Sequence, residues 1–213
     1  PQIGFMQGRL CDQVDAKVQA FPWRDWESEF PVAAALGFKV MEWTLDRYRL
    51  FENPLMTSAG QVRIRDLCEQ YQLTVPSLTG DCFMQAAFWH AKGDLKDRLK
   101  YEFIAICRAC NAVGIRMLVV PLVDQGRLES ITQEDELVDF LLCQQDFFEE
   151  QRIQIIFESD YSPRELCRFI SRLPSKSFGV NYDTGNSAAL GFDPVEEFAA
   201  YGPRVLNVHI KDR

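Results

Sequence analysis

Seven short runs rich in β-branched and aromatic residues recur along the chain, and each of the first six is followed by a segment with helical punctuation. The runs are residues 1–9 (PQIGFMQGR), Lys39–Thr44, Leu73–Leu78, Arg116–Val123, Ile153–Phe157, Phe178–Asp183 and Val205–Ile210. Between them, Asp25 to Leu36 reads as a helix stopped by Gly37. A second helix runs from Glu52 to Tyr71 after the Asn53-Pro54 turn, and a third from Asp94 to Val113 with Gly114 behind it. Thr132 to Gln151 reads as one acidic-headed helix, which suits the helix dipole. Ser162-Pro163 and Asp193-Pro194 each place a capping side chain before a proline, the signature of a helix start. Arg116 to Val123 is apolar almost throughout, as expected of a strand covered on both faces.

Strict β-then-α alternation implies a parallel sheet with right-handed crossovers. An open doubly wound sheet and an eight-stranded barrel both satisfy it. No Gly-rich dinucleotide fingerprint follows the first strand, which argues against the doubly wound alternative. A (β/α)8 TIM barrel takes about 250 residues, whereas this chain has 213 and stops after the seventh strand. The expectation is therefore an α/β fold, a TIM barrel over residues 1–213 as a single domain, with its last β/α unit absent and a flank open between the seventh and first strands.

The net charge is −8 and no long basic run appears, so neither nucleic acid nor an anionic membrane is the expected partner. No apolar run approaches the roughly 18 residues of a spanning helix. Pro1-Gln2-Ile3-Gly4 opens directly into a strand, so no signal peptide is visible, and without an initiator Met the start is expected to be processed or trimmed. Of the seven cysteines, only Cys107 and Cys110 form a CxxC pair. With no second pair and no histidine nearby, they read as small apolar residues on a helix face rather than a zinc or redox motif. A cytoplasmic location with reduced thiols is expected.

Parallel barrels carry their chemistry where the C-terminal ends of the strands converge. Glu158, Asp183 and His209 sit near those ends on three successive strands, separated by 25 and 26 residues, each interval long enough for one helical crossover. Residues two apart share a strand face. Gln154, Ile156 and Glu158 therefore point one way, as do Asn181 with Asp183, and Asn207 with His209 and Lys211. A Glu, an Asp and a His meeting there suit a hard or borderline divalent cation. A purely structural alternative pairs Glu158 with Lys211 or Arg9 as a buried ion pair, but it leaves Asp183 and His209 without a role. Arg9, Glu42 and Lys211 end their strands at the same mouth, where they read either as groups that bind sugar hydroxyls or a phosphate, or as rim ion pairs. His90 reads as a loop or lining residue. Trp23, Trp43, Phe83, Phe88 and Trp89 are candidates for pocket walls, although most such residues are core.

The NYDTGN and NVHIKDR runs within Phe178 to Arg213 resemble the xylose isomerase-like sugar-phosphate isomerase/epimerase superfamily. IGFMQGRL and the FPW…ALGF…MEW stretch resemble its hexulose-6-phosphate isomerase-like branch. The resemblance implies one divalent ion (Mn, Mg, Co or Zn) held by Glu, Asp, His and a final Glu, of which Glu158, Asp183 and His209 match the first three. The fourth position falls beyond Arg213. In related ketose 3-epimerases the first and last Glu also exchange the proton, which makes Glu158 the candidate catalytic residue. Asn186 stands where many relatives carry a histidine, so a substrate or metal contact made there is expected to be weakened or replaced. The implied activity is isomerisation or epimerisation of a ketose or sugar phosphate. A sugar or inositol dehydratase and a non-catalytic small-ligand-binding barrel are the alternatives, and a homo-oligomer is allowed. An apurinic-site endonuclease is disfavoured, because that branch uses a multinuclear zinc cluster with many histidines and this chain has two.

Overall fold

The computed structural model of the chain describes residues 3–12 and 20–211. Seven strands form one sheet in sequence order: β1 (Phe5–Met6), β2 (Val40–Thr44), β3 (Thr74–Thr79), β4 (Met117–Leu122), β5 (Gln154–Ser159), β6 (Phe178–Asp183) and β7 (Val205–His209). Every neighbouring pair is parallel. The crossovers run through α1 (Glu29–Ala35), α2 (Ser58–Tyr71), α3 (Asp81–Gln85), α4 (Gly93–Val113), α5 (Ile131–Cys143), α6 (Gln145–Gln151), α7 (Pro163–Ser171), α8 (Thr184–Leu190) and α9 (Pro194–Tyr201). A doubly wound sheet reverses its strand order part-way. This one never does, so the open-sheet alternative is excluded.

The sheet is rolled. Glu42 on β2 takes hydrogen bonds from Asn207 (3.2 Å) and His209 (2.8 Å) on β7. In a flat sheet those strands would stand five spacings of about 4.8 Å apart, about 24 Å in all. The contact across the interior therefore requires most of a barrel's curvature. Among the described residues β1 pairs only with β2 and β7 only with β6, which leaves the flank between them open.

Strand alternation sorts the side chains into two layers. Leu118, Val120, Leu122, Ile155, Phe157, Phe178 and Val180 face outward and join one core with Phe103, Leu141, Phe148 and Phe169 from the helices. Phe148 packs on Phe178 and Phe157 on Phe169, with ring centroids 6.0 and 5.1 Å apart. The other set lines the interior: Val119 and Ile156 are fully buried in register with one another, and above them the lining turns polar. Burial on both faces accounts for the unbroken apolar run of β4. On β7 the outward Leu206 and Val208 are exposed. No described helix is long and apolar enough to cross a membrane.

Three elements depart from the sequence reading. β1 has two residues rather than nine, because Gly8 takes a left-handed φ of 89° and turns the chain. The Gly8 and Leu10 amides then donate to the fully buried Glu29 carboxylate at 2.8 and 3.0 Å. The segment 52–71 begins as two 3-10 turns (Leu50–Glu52 and Pro54–Met56) and becomes α-helical only after Thr57, whose hydroxyl caps Gly60 N at 3.2 Å. The helix over 132–151 is two helices broken at Gln144.

Candidate metal centre

Three strand ends build the site. Asp183 closes β6 and His209 closes β7, and the two are direct partners in the parallel register. Glu158 sits one residue before the end of β5. Its Oε2 lies 3.5 Å from His209 Nδ1, and Asp183 Oδ2 lies 3.9 Å from the same nitrogen. One ligand atom from each residue falls within 4.8 Å of the other two. Donors bound about 2.1 Å from a common ion stand roughly 3–3.5 Å apart, so a small inward adjustment brings the three onto one cation.

Amides hold the carboxylates. Asn181 Nδ2 donates to Glu158 Oε2 at 3.0 Å, and Asn186 Nδ2 makes a short hydrogen bond to Oε1. Asp183 is the N-cap of α8: its Oδ1 accepts from Asn186 N at 2.8 Å. Its Oδ2 is buried and receives no aligned hydrogen bond. The Lys211 ammonium stands 2.6 Å from that oxygen. It is the charge partner of that oxygen in this structure. A Glu, an Asp and an imidazole gathered this closely are a donor set that suits a divalent cation, which would replace the Lys211 ammonium at Asp183 Oδ2 and relieve the repulsion between the carboxylates. The residues therefore fit a divalent ion.

His209 is pulled two ways. Burial opposes its charged form, whereas the Glu158 and Glu42 carboxylates favour it and pull its pKa upward. The Asn181 amide, 3.1 Å from Nδ1, instead requires a lone pair on that nitrogen. The amide geometry matches the ligand form, in which Nδ1 is bare. Burial likewise pushes Glu42 up, and hydrogen bonding and charge from His209 with the Ser77 and Thr79 hydroxyls bring it below the usual carboxylate range.

The remaining expected site residues are distributed differently from one another. Lys211 pairs with Asp183 rather than Glu158. It crosses over Gly185, where an added Cβ would lie 2.6 Å from Lys211 Cγ. Asn186 faces Glu158 directly. Glu42 lies buried inside the barrel, with both oxygens occupied by protein donors. Arg9 is exposed in the loop after β1. His90 is bound to the Arg127 carbonyl at 2.8 Å, and Trp43, Phe83, Phe88 and Trp89 are core. Cys107 and Cys110 are buried free thiols, raised in pKa by burial. Ser77 and Thr79 were not expected in the site. Their signal is a pair of hydroxyls two residues apart at the end of β3, on one face.

The sequence model of the family described as xylose isomerase-like TIM barrel matches residues 30–213. The chain belongs to that family. A xylose isomerase domain protein from Planctomyces limnophilus superposes with a TM-score of 0.69 at 17% identity, over 97% of this chain and 72% of that one. A D-psicose 3-epimerase solved in the presence of D-fructose gives 0.74 at 13%, over 99% and 73%. A D-psicose 3-epimerase with D-tagatose from Clostridium cellulolyticum H10 gives 0.77 at 11%, over 99% and 73%. At these identities the likeness is one of fold, and this chain spans about three quarters of each neighbour. No curated protein sequence matches it.

Proposed function

We propose that the protein is a metal-dependent isomerase or epimerase of a ketose or its phosphate. The observation that carries this reading is the convergence of Glu158, Asp183 and His209 at three strand ends, with one ligand atom from each within 4.8 Å of the others. Fold neighbours that include D-psicose 3-epimerases, one solved with D-fructose and one with D-tagatose, support the substrate class. The hexulose-6-phosphate isomerase-like branch rests on the N-terminal motifs alone.

A divalent cation (Mn, Mg, Co or Zn) bound there supplies Lewis-acid polarisation of a sugar carbonyl and its neighbouring hydroxyl. The chain's own groups do the rest. Glu158, held in place by the Asn181 and Asn186 amides, takes the proton from the carbon beside the carbonyl and returns it on the same face to the adjacent carbon. Inversion requires a second acid on the opposite face, the role the final Glu has in the related ketose 3-epimerases. Asn186, in the position expected to contact substrate, acts through Glu158 by fixing its rotamer. Lys211 and Arg9 supply positive charge for a phosphate. The protein is read as a single barrel domain acting on small molecules.

A panel of ketoses and ketose phosphates, incubated with the protein before and after exhaustive chelation, tests this. Isomerised or epimerised product that disappears on chelation and returns with added metal is expected. A dehydrated product would move the assignment to a dehydratase of the same fold. Turnover undiminished by chelation would remove the metal from the mechanism.

A further inference from the structure

Glu42 makes more contacts than a sugar-binding group at the rim could spare. Its Oε2 accepts from Ser77 Oγ at 2.6 Å and Asn207 Nδ2 at 3.2 Å. Its Oε1 accepts a short hydrogen bond from Thr79 Oγ1 and faces His209 Nε2 at 2.8 Å. The first three donors come from β3 and β7 and lock the carboxylate in place between the two walls of the interior. The fourth group is the imidazole of a candidate metal ligand. With its oxygens so occupied, Glu42 has no free lone pair aimed at a sugar.

The hydrogen-bond network then fixes which nitrogen of His209 carries its proton. Asn207 must turn its NH2 toward Glu42, because its carbonyl oxygen there would face a carboxylate oxygen. The same NH2 donates to Asn181 Oδ1 at 2.9 Å. Asn181 must therefore present its own NH2 on the other side, to Glu158 Oε2 and to His209 Nδ1 at 3.1 Å. A nitrogen facing an NH2 has to offer a lone pair, so Nδ1 is bare and the proton is on Nε2, pointing at Glu42.

We propose that Glu42 is the positioning residue of the metal centre: it holds His209 as the Nε2–H form, so that the Nδ1 lone pair, which accepts from Asn181 here, is the one a cation would take from that amide. The inference rests on the metal-site reading above and extends it from the three ligands to the carboxylate that orients one of them. Carboxylates that accept from the second nitrogen of a ligating histidine fix ring and tautomer together, and losing one weakens metal binding by 10- to 100-fold as an order of magnitude. Here the orienting group comes from β2, five strands away from the ligand it holds. Rolling of the sheet and assembly of the site are thereby the same event.

The test uses Glu42→Gln and Glu42→Asp. The amide cannot accept from four donors, and the shorter acid keeps the charge but withdraws from His209. Nitrogen-15 NMR of histidine-labelled protein reads the Nε2–H of His209 without added metal. The chain has only two histidines, and His90→Gln assigns the spectrum. Zn²⁺ affinity is measured in parallel by chelator competition. The wild type should show an Nε2–H protected from exchange with water, and both variants should lose that protection and bind Zn²⁺ about 10- to 100-fold more weakly. Variants that keep the protected proton and the wild-type Zn²⁺ affinity overturn the proposal. Wild-type protein that shows the protected proton but binds no Zn²⁺ instead defeats the metal-site reading, so the two failures are distinct.

Discussion

Asp183→Ala separates the metal centre from the fold more cleanly than any other single change. In the apo protein the substitution removes the α8 cap, in which Asp183 Oδ1 accepts from Asn186 N at 2.8 Å; such a cap contributes about 1 kcal/mol. It also removes the partner of Lys211. Asp183 is buried but the Lys211 side chain is 39% exposed and stays hydrated once its partner is gone, so the lost pair costs about 1 kcal/mol at most. Against these losses, the variant no longer buries a carboxylate. The net cost should be about 1 kcal/mol, and for a domain of this size that is a fall in Tm of about 2–4 °C. Cation binding acts in the opposite sense on the wild type: at roughly 100 times Kd a ligand specific for the folded state adds about 2.7 kcal/mol, or about 5–11 °C at the same conversion. Differential scanning calorimetry with EDTA and then with excess Mn²⁺ reads both numbers. The wild type should rise with Mn²⁺, and Asp183→Ala should melt a few degrees lower and not respond. A variant that keeps the full Mn²⁺ shift, or one that fails to fold, would refute the reasoning.

Two further outcomes follow from other parts of the molecule. Burial alone would raise the pKa of Glu134, but hydrogen bonds from Arg168, Arg172 and Tyr161 outweigh it and hold the carboxyl below its ordinary value of 4.5. A depressed folded value means that the stabilisation is complete above the ordinary value and is lost as pH falls through the lower one. Glu134→Gln should therefore lower Tm at neutral pH and flatten its fall in acid, and an unchanged acid limb would show that the cluster contributes nothing. Lys211→Met should weaken a ketose phosphate more than the same sugar without phosphate, measured as KM on both, whereas equal losses would remove the phosphate role.

Much of the fold could be read from the chain because two-sided burial leaves a strong signature. The apolar run at Arg116–Val123 and the capped starts at Ser162-Pro163 and Asp193-Pro194 fall where the structure has β4, α7 and α9. At Ser162 the full reciprocal cap with Glu165 is present. The break at Gln144 carries no Gly or Pro. It coincides with Phe148 packing between Phe103 and Phe178, a tertiary demand that periodicity does not record. β1 is short for a similar reason. Glu29, read as part of a helix start, is buried and gathers the backbone amides after Gly8. In the site, the three candidate ligands share a face by simple alternation, so their convergence could be anticipated. The Glu42–His209 pair spans 167 residues and exists only once the sheet has rolled. Strand-end position alone therefore sent Glu42 to the rim.

The central claim is proton transfer at a sugar carbon that depends on a bound cation. Incubating the protein in D2O with a panel of ketoses and ketose phosphates, and following loss of the proton beside the carbonyl by NMR, measures that transfer without needing to know the product in advance. With a divalent ion present, at least one substrate should take up deuterium at that carbon, and both exhaustive chelation and Glu158→Gln should stop the uptake. Exchange that continues undiminished after chelation, or no exchange with any sugar in protein shown to hold the cation, would contradict the account.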